Sequence, residues 1–384
     1  MKKLINLALC MSLSLVMLLG ISANLGQTYA SDFVPETTTK ASILIDMDSN
    51  KVLYDNNSTE RMPVASIVKL MTIMLTFEQI EAGAISLDDN VMVSENASGM
   101  GGSQIFLDAN CEYNLGELLK SVIVCSANDS SVALAEHISG SENVFVEKMN
   151  SRAREMGLEN TNYVNCTGLP AENQYSCALD VAKILKNVLG YEKYHEYSSV
   201  WLEDFQHPSG RTTEMTNTNR LSRYYEGCIG GKTGSTSEAG YCLAVGARRN
   251  NLSLISVVLG ASTTKERFKG ASDLLNYGFA NYDNHTINVA DLVNISYKDE
   301  RQLKVKVDGA CNILTPKGQT PNYEIKCYLP SKVSKCKLNQ ELGYIEIVVD
   351  GQIYSTLKVL ADEQINEPKF VDNLHDILED FVNN

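Results

Sequence analysis

Ser66 stands three residues before Lys69 in the apolar run "VASIVKLMT". On a helix, positions i and i+3 share a face, so a hydroxyl and an amine at that spacing can meet. A serine hydroxyl becomes a nucleophile only when a base takes its proton. Lysine can be that base where burial or a neighbouring cation disfavours its charged form. The same spacing recurs elsewhere in the chain, as at Ser262–Lys265 and Ser334–Lys337. The second of these lies in a solvated stretch with Lys332 and Lys335, and the first follows "ISVVLGA" at a strand exit, with no helix beneath both residues. Ser66–Lys69 has apolar neighbours, Ile67, Val68, Leu70 and Met71, behind a helix start at Pro63.

Two more segments can complete a site. "CSANDSS" places Ser126 and Asn128 at the end of an apolar helix, where both can face a cleft. Ser-x-Asn also occurs at Ser22–Asn24, Ser94–Asn96 and Ser141–Asn143, so this motif says little alone. Lys232-Thr233-Gly234 occurs once, entering a late hairpin. Gly234, without a side chain, lets a substrate approach the strand edge, and Lys232 is the cation that keeps Lys69 neutral. The glycines of "GCIGGKTGS" also invite a phosphate-loop reading. That motif requires glycine where Glu226 stands, and a carboxylate there repels phosphate.

The elements that must position these residues can be read from periodicity. Ser42–Tyr54 reads as two strands around Asp48-Ser49-Asn50. Helical spacing follows from Pro63, and again over Leu115–Val124, Ser131–His137 and Ala178–Leu189. A Gly/Ser-rich loop, Ser98–Ser103, interrupts them. Strand patterns return in "GYCLAVGARRN" and "LSLISVVLGAS", joined by a turn, and a helix over Arg267–Tyr277 ends near Gly278. Strands at both ends of this region with helices between them predict a mixed α/β layer whose sheet is assembled from both termini of the domain. After Tyr282 short strands with Asp-Gly turns read as a separate β-rich domain, 282–365. In the last segment, 366–384, Phe370, Leu374, Ile377, Leu378 and Phe381 form one apolar stripe of a helix opposite Asp372, Asp376, Glu379 and Asp380.

Lys2 and Lys3, the apolar stretch Leu4–Ile21 and the exit "GQTYA" read as a secretory leader cleaved after Ala30, and the competing reading is a membrane anchor. The formal net charge is −14, and no basic stripe accompanies aromatics, which removes support for nucleic-acid binding. Nine of the ten cysteines follow the leader without close pairs, so buried free thiols are expected rather than a disulfide framework. The five histidines form no His-x-x-x-His pair and Cys-x-x-Cys is absent, so no metal and no cofactor are assigned.

Taken in chain order, Ser66-x-x-Lys69, Ser126-x-Asn128 and Lys232-Thr233-Gly234 resemble the penicillin-recognising serine enzymes. "PVASIVKLMT", "GGSQIFL", "CSANDSSVALAEHI", "FVEKMNSRAREMGLENTNYVNCTGLP", "GGKTGSTSEAGYCL" and "VVLGASTTKERF" narrow the resemblance to low-molecular-weight D-alanyl-D-alanine carboxypeptidases, from about Ala41 to Phe279. The resemblance implies an α/β (α+β) penicillin-recognising serine transferase fold: an antiparallel sheet flanked by helices over 31–281, followed by the small all-β domain. It implies that Ser66 attacks the carbonyl between the terminal D-alanines of a peptidoglycan pentapeptide, and that Lys69 accepts its proton. Ser126 would relay a proton to the departing amine, Asn128 would hold the substrate amide, and Lys232 would supply positive potential beside Ser126. Thr233 and Arg267 would bind the terminal carboxylate, and the backbone N–H groups of Ser66 and Ser235 would form the oxyanion hole. β-Lactams would be covalent inhibitors.

Relatives often carry histidine where this chain has Ser235, and some residues have plainer readings. Ser103 reads equally as a pocket residue and a turn residue, Cys125 as a packed thiol near the pocket, and Arg267 as a carboxylate ligand or a surface helix residue. A serine β-lactamase shares the three motifs, yet no Glu-x-x-Leu-Asn loop stands between Asn128 and Lys232. A non-enzymatic sensor calls for a membrane span and a cytoplasmic domain. The acidic face of the tail stripe is repelled by anionic lipid, so peripheral membrane contact and docking on the β domain are equal readings.

Overall fold

The structure is a computed structural model that describes residues 38–289, 293, 295–297 and 302–365. The leader and the tail stripe lie outside the described residues.

Strand β1 (Ala41–Asp46) pairs antiparallel with β2 (Val52–Asn56). The chain then builds its helices before returning to the sheet. Among these are α1 (Lys69–Glu81), α2 (Leu115–Val124), α3 (Asn128–Ser139), α4 (Ala178–Val188) and α5 (Glu192–Ser199). Three consecutive strands follow: β3 (Cys228–Thr236), β4 (Gly240–Arg249) and β5 (Leu252–Ala261). The sheet order is β2-β1-β5-β4-β3, with Ala41 opposite Leu259 where the two termini of the domain meet. This is the arrangement that the strand pattern predicts, with one addition. β3 is a strand in its own right, so Lys232-Thr233-Gly234 lies inside the edge strand that pairs with β4.

Every residue of β1 and β5 is buried, which explains their mainly apolar sequences: helices cover both faces. On one face α4 packs on β5 and β1, and on the other lies α6 (Thr264–Asn281). Helix α1 is buried continuously from Lys69 to Phe77, as expected for a helix enclosed on all sides. Helix α6 runs past Gly278. A Cβ there would lie 2.4 Å from Leu254 Cδ1 and 3.0 Å from Leu44 Cδ2, so this glycine serves close helix–sheet packing and does not end the helix.

Beyond α6, Tyr282–Ile287 pairs with Cys311–Pro316, and a four-stranded antiparallel sheet spans Val305–Asp308, Gln352–Ala361, Glu341–Val349 and Tyr323–Tyr328 in spatial order. Ile313, Ile345, Ile347 and Val359 fill its own core. Asp48, in the β1–β2 turn, accepts Nδ2 of Asn312 at 2.6 Å and Nδ2 of Asn284 at 3.2 Å, fastening this region to the first sheet. All nine cysteines among the described residues are free thiols. Lys332 and Ser334–Lys337 belong to an exposed stretch of the β region, broken by the half-buried Ser334 and the buried Cys336, and Ser262 lies between β5 and α6, as the sequence context predicts for both decoys.

Candidate active site

Ser66 sits on a single 3-10 turn, Ala65–Val68, and Lys69 opens α1. The pair therefore does not share a regular α-helix, as the spacing predicts, but straddles the change of helix type. Side chains at i and i+3 of a 3-10 turn eclipse, which brings them closer than an α-helix does. Lys69 Nζ lies 3.0 Å from Ser66 Oγ. Two glycines hold this turn. A Cβ on Gly234 would lie 2.7 Å from Val64 O and 3.0 Å from Ser66 N, so the glycine admits the backbone of Ser66 against β3 and not a substrate. Gly168, with φ +82°, is packed against the same turn, where a Cβ would lie 2.1 Å from Ala65 O.

The amine of Lys69 has three partners: Ser66 Oγ, Asn128 Oδ1 at 2.6 Å and Thr167 O at 2.5 Å. The last two can only accept. A neutral amine has two N–H donors for them and one lone pair left, which points at the Ser66 hydroxyl. After taking the serine proton, the ammonium has three donors for the same three oxygens. The geometry serves both protonation states without rearrangement. Burial pulls Lys69 down to about 7, against the opposing influence of Cys166, Cys125 and Asp129.

Lys232, equally buried on β3, donates to Thr233 O at 3.1 Å. Burial pushes it well below the usual lysine range, and repulsion from Lys69 adds to that. Two ammonium groups in one desolvated space cannot both stay charged. Burial, and not Lys232, is thus the reason that Lys69 can be neutral, and the repulsion between the two falls on Lys232.

Asn128 begins α3 instead of ending the helix before it, and Ser126 occupies the link with φ +66°. Ser126 Oγ is buried without a partner. A hydroxyl left unsatisfied at such a position is costly unless something else uses it. Ser103 contributes its carbonyl, which accepts from Asn128 N at 2.7 Å, while its side chain is exposed. Cys125 caps the end of α2, donates to Ser121 O at 3.2 Å and is pushed up to about 12 by burial, which favours the packed-thiol reading.

The edge strand supplies the rest. Tyr194 of α5 donates to Gly231 O at 3.1 Å, so Gly231 turns its carbonyl away from β4. Strand alternation then turns the N–H and C=O of Thr233 and Ser235 to the same open side. Thr233 Oγ1 donates to Thr218 Oγ1 at 2.8 Å. Arg267, in the first turn of α6, is only 7% exposed and lies over the Phe268 ring at 4.7 Å. Its Nη1 reaches Gly234 O at 3.3 Å and Cys242 O at 3.4 Å, while its Nε has no partner. No carboxylate pairs with it among the described residues, and burial lowers it to about 10. A buried guanidinium with spare donors and no counter-charge suits an incoming carboxylate better than a surface role. Cavities of about 450 Å³ and 360 Å³ lie in the β region and at its junction, away from these groups.

Thr167, Gly168, Thr218 and Asp129 were given no role by the motif spacing. Gly168 carries the one readable hint, a glycine in "NCTGLP". No cluster able to hold a metal occurs among the described residues.

A serine hydroxyl on a 3-10 turn whose Ala65 has φ +49°, a buried amine facing it and an edge strand with free N–H groups define a serine acyl-transfer enzyme. The family profile described as D-alanyl-D-alanine carboxypeptidase matches residues 28–263, and that of the C-terminal domain of penicillin-binding protein 5 matches 286–367. Among curated relatives, D-alanyl-D-alanine carboxypeptidase DacF of Bacillus subtilis is 38% identical over 341 residues, covering 86% of this chain and 87% of its own. A D-alanyl-D-alanine endopeptidase of Escherichia coli is 31% identical over 244 residues, covering 62% and 77%. The crystal structure of penicillin-binding protein 5 from Haemophilus influenzae superimposes with a TM-score of 0.70 at 31% identity, over 87% of this chain and 99% of that one. The chain belongs to the D-alanyl-D-alanine carboxypeptidase family.

Proposed function

We propose that the protein is a serine D-alanyl-D-alanine carboxypeptidase that acylates on Ser66. The observation that carries this is the lone pair of Lys69, left free for Ser66 Oγ by two carbonyl acceptors. Ser66 Oγ attacks the carbonyl carbon between the two D-alanines while its proton passes to Lys69. The oxyanion is received by the N–H groups of Ser66 and Ser235. As the C–N bond breaks, the proton on Lys69 returns through Ser126 Oγ to the departing D-Ala amine, and water then cleaves the ester. Asn128 holds Lys69 through Oδ1, and Lys232 regains a proton when an anionic group arrives beside it. Thr233 and Arg267 take the terminal carboxylate. Peptidoglycan stem peptides and β-lactams are the ligands of this reading. None of the relatives named above is a β-lactamase or a sensor.

Leader removal after Ala30 and action outside the cytoplasmic membrane complete the proposal, and the family relationship supports it. No helix among the described residues is long and apolar enough to cross a membrane. Contact of the tail with a membrane surface remains part of the same reading.

Purified protein incubated with penicillin is expected to gain one adduct mass on Ser66, and with a D-Ala-D-Ala peptide to release D-Ala. Ser66→Ala loses both. Rapid adduct turnover without D-Ala release points instead to a β-lactamase.

Arg267 is what makes a free carboxylate matter, and so what separates an exopeptidase from an endopeptidase. Arg267→Leu is expected to raise KM for a D-Ala-D-Ala acid by tenfold or more with a smaller change in kcat. In the wild type the acid is preferred over its C-terminal amide; in the variant that preference disappears. An undiminished preference sinks the assignment.

A further inference from the structure

We propose that Asp129 is a positioning residue, whose carboxylate ties the loop 101–107 to the first turn of α3 and thereby fixes the Asn128 amide that orients Lys69. The inference rests on the carboxypeptidase reading above. Asp129 is fully buried. Its carboxylate accepts the N–H groups of Ile105 and Leu107, each at 3.1 Å, and of Ser130 at 2.9 Å. The carbonyl side of the same loop is held from elsewhere: Thr213 Oγ1 donates to Ile105 O and Arg211 to Phe106 O. The loop is thus gripped on two sides, and Asp129 is the grip belonging to the helix that carries Asn128.

What the loop does with that position is specific. Gly101 O accepts Asn128 Nδ2 at 2.6 Å, and Ser103 O accepts Asn128 N at 2.7 Å. A carbonyl can only accept, so Gly101 O compels Nδ2 to face it. Oδ1 is then left facing the amine of Lys69. If the loop moves away, the amide is free to turn, and a turned amide sets its own N–H against those of Lys69. The contact is tight as well: a Cβ on Gly102 would lie 2.8 Å from Asn128 Nδ2. Side chains that orient a reacting group through one intermediate have effects far larger than their distance suggests.

Asp129→Asn leaves one acceptor oxygen for the three N–H groups that the two carboxylate oxygens share, and its own N–H groups face either those of Ile105 and Leu107 or that of Ser130. It also deletes a charge. The titratable groups around Lys69 are Lys232 on β3, Cys125 at the end of α2, Cys166, which faces Glu142, and Asp129. Asp129 favours the ammonium form of Lys69, so its loss moves the acid limb of the acylation rate to lower pH. Gly102→Ala is the companion variant: it disturbs the Asn128 amide from the loop side and leaves every charge in place.

The test measures penicillin acylation of the full chain, per titrated active site, across pH 5 to 9. Both variants are expected to acylate about tenfold or more slowly than wild type. The acid limb shifts down in Asp129→Asn and stays in place in Gly102→Ala. Should Asp129→Asn fail to fold, Gly102→Ala still carries the rate prediction. A wild-type chain that acylates normally, with folded variants within twofold of it and an unmoved limb, overturns this inference alone. A wild-type chain that forms no adduct overturns the carboxypeptidase reading and this inference with it.

Discussion

Lys69→Met is expected to slow acylation of Ser66 by about three orders of magnitude, the range over which a positioned general base acts. Methionine fills a similar volume but has no lone pair for the serine proton. In the wild type, acylation needs the neutral amine, so its rate rises with pH up to about 7 and levels off above it. The same substitution has a second signature, in stability. Lys69 holds its proton to about 7 when folded, and an unfolded lysine holds it to ~10.4. Between those values the unfolded chain binds more protons, so this group's contribution to stability rises with pH across that window. Below pH 7 the cost of burying the amine is constant and largest, about 5 kcal/mol for a gap of this size. Methionine carries no such cost, but it strands Asn128 Oδ1 and Thr167 O, at ~1–3 kcal/mol each. These effects nearly offset at neutral pH, so the absolute Tm decides nothing. The decisive quantity is the Tm of Lys69→Met minus that of the wild type. It falls as pH rises from 7 towards 10. A flat difference would show that the amine is not desolvated in the folded state.

The sequence carried the order of the motifs, and with it the sheet that closes from both termini, because apolar periodicity survives any detail of packing. It also separated Ser66–Lys69 from the pairs at Ser262 and Ser334, since burial of a lysine needs apolar neighbours on every side and neither of those had them. What spacing could not carry was the direction in which each residue faces. Gly234 was readable as a close approach but not as an approach by Val64 and Ser66. Asn128 was readable as a polar residue near a helix end, yet whether the helix ends or begins there depends on the positive φ of Ser126. Thr167 acts through a backbone carbonyl, which no side-chain motif encodes. Arg267 needed the fold to bring α6 over β3 and β4 before its lack of a counter-charge could be seen.

Gly168→Ala tests whether that hidden backbone geometry is functional. Alanine at φ +82° is strained wherever it occurs, at about 1 kcal/mol. Here the new Cβ would also lie 2.1 Å from Ala65 O and 2.8 Å from Ser66 N, against backbone atoms that have no rotamer to escape into. The turn must move by roughly 1 Å to restore ordinary contact, and misplacement of that size costs about a hundredfold in rate. Gly234 is packed against the same turn, where a Cβ on it would lie 3.0 Å from Ser66 N, so the turn has little room to retreat. Ser66 Oγ then leaves the lone pair of Lys69, and the Ser66 N–H leaves the oxyanion position. Gly157→Ala separates the two costs, because its φ is +64° and nothing lies within 4 Å of the added Cβ. That variant is expected to lose stability with penicillin acylation unchanged, whereas Gly168→Ala loses stability and acylates at least a hundredfold more slowly. If both variants acylate at the wild-type rate, the turn has room that the packing of Gly168 and Gly234 denies, and Ser66 is not held by its backbone.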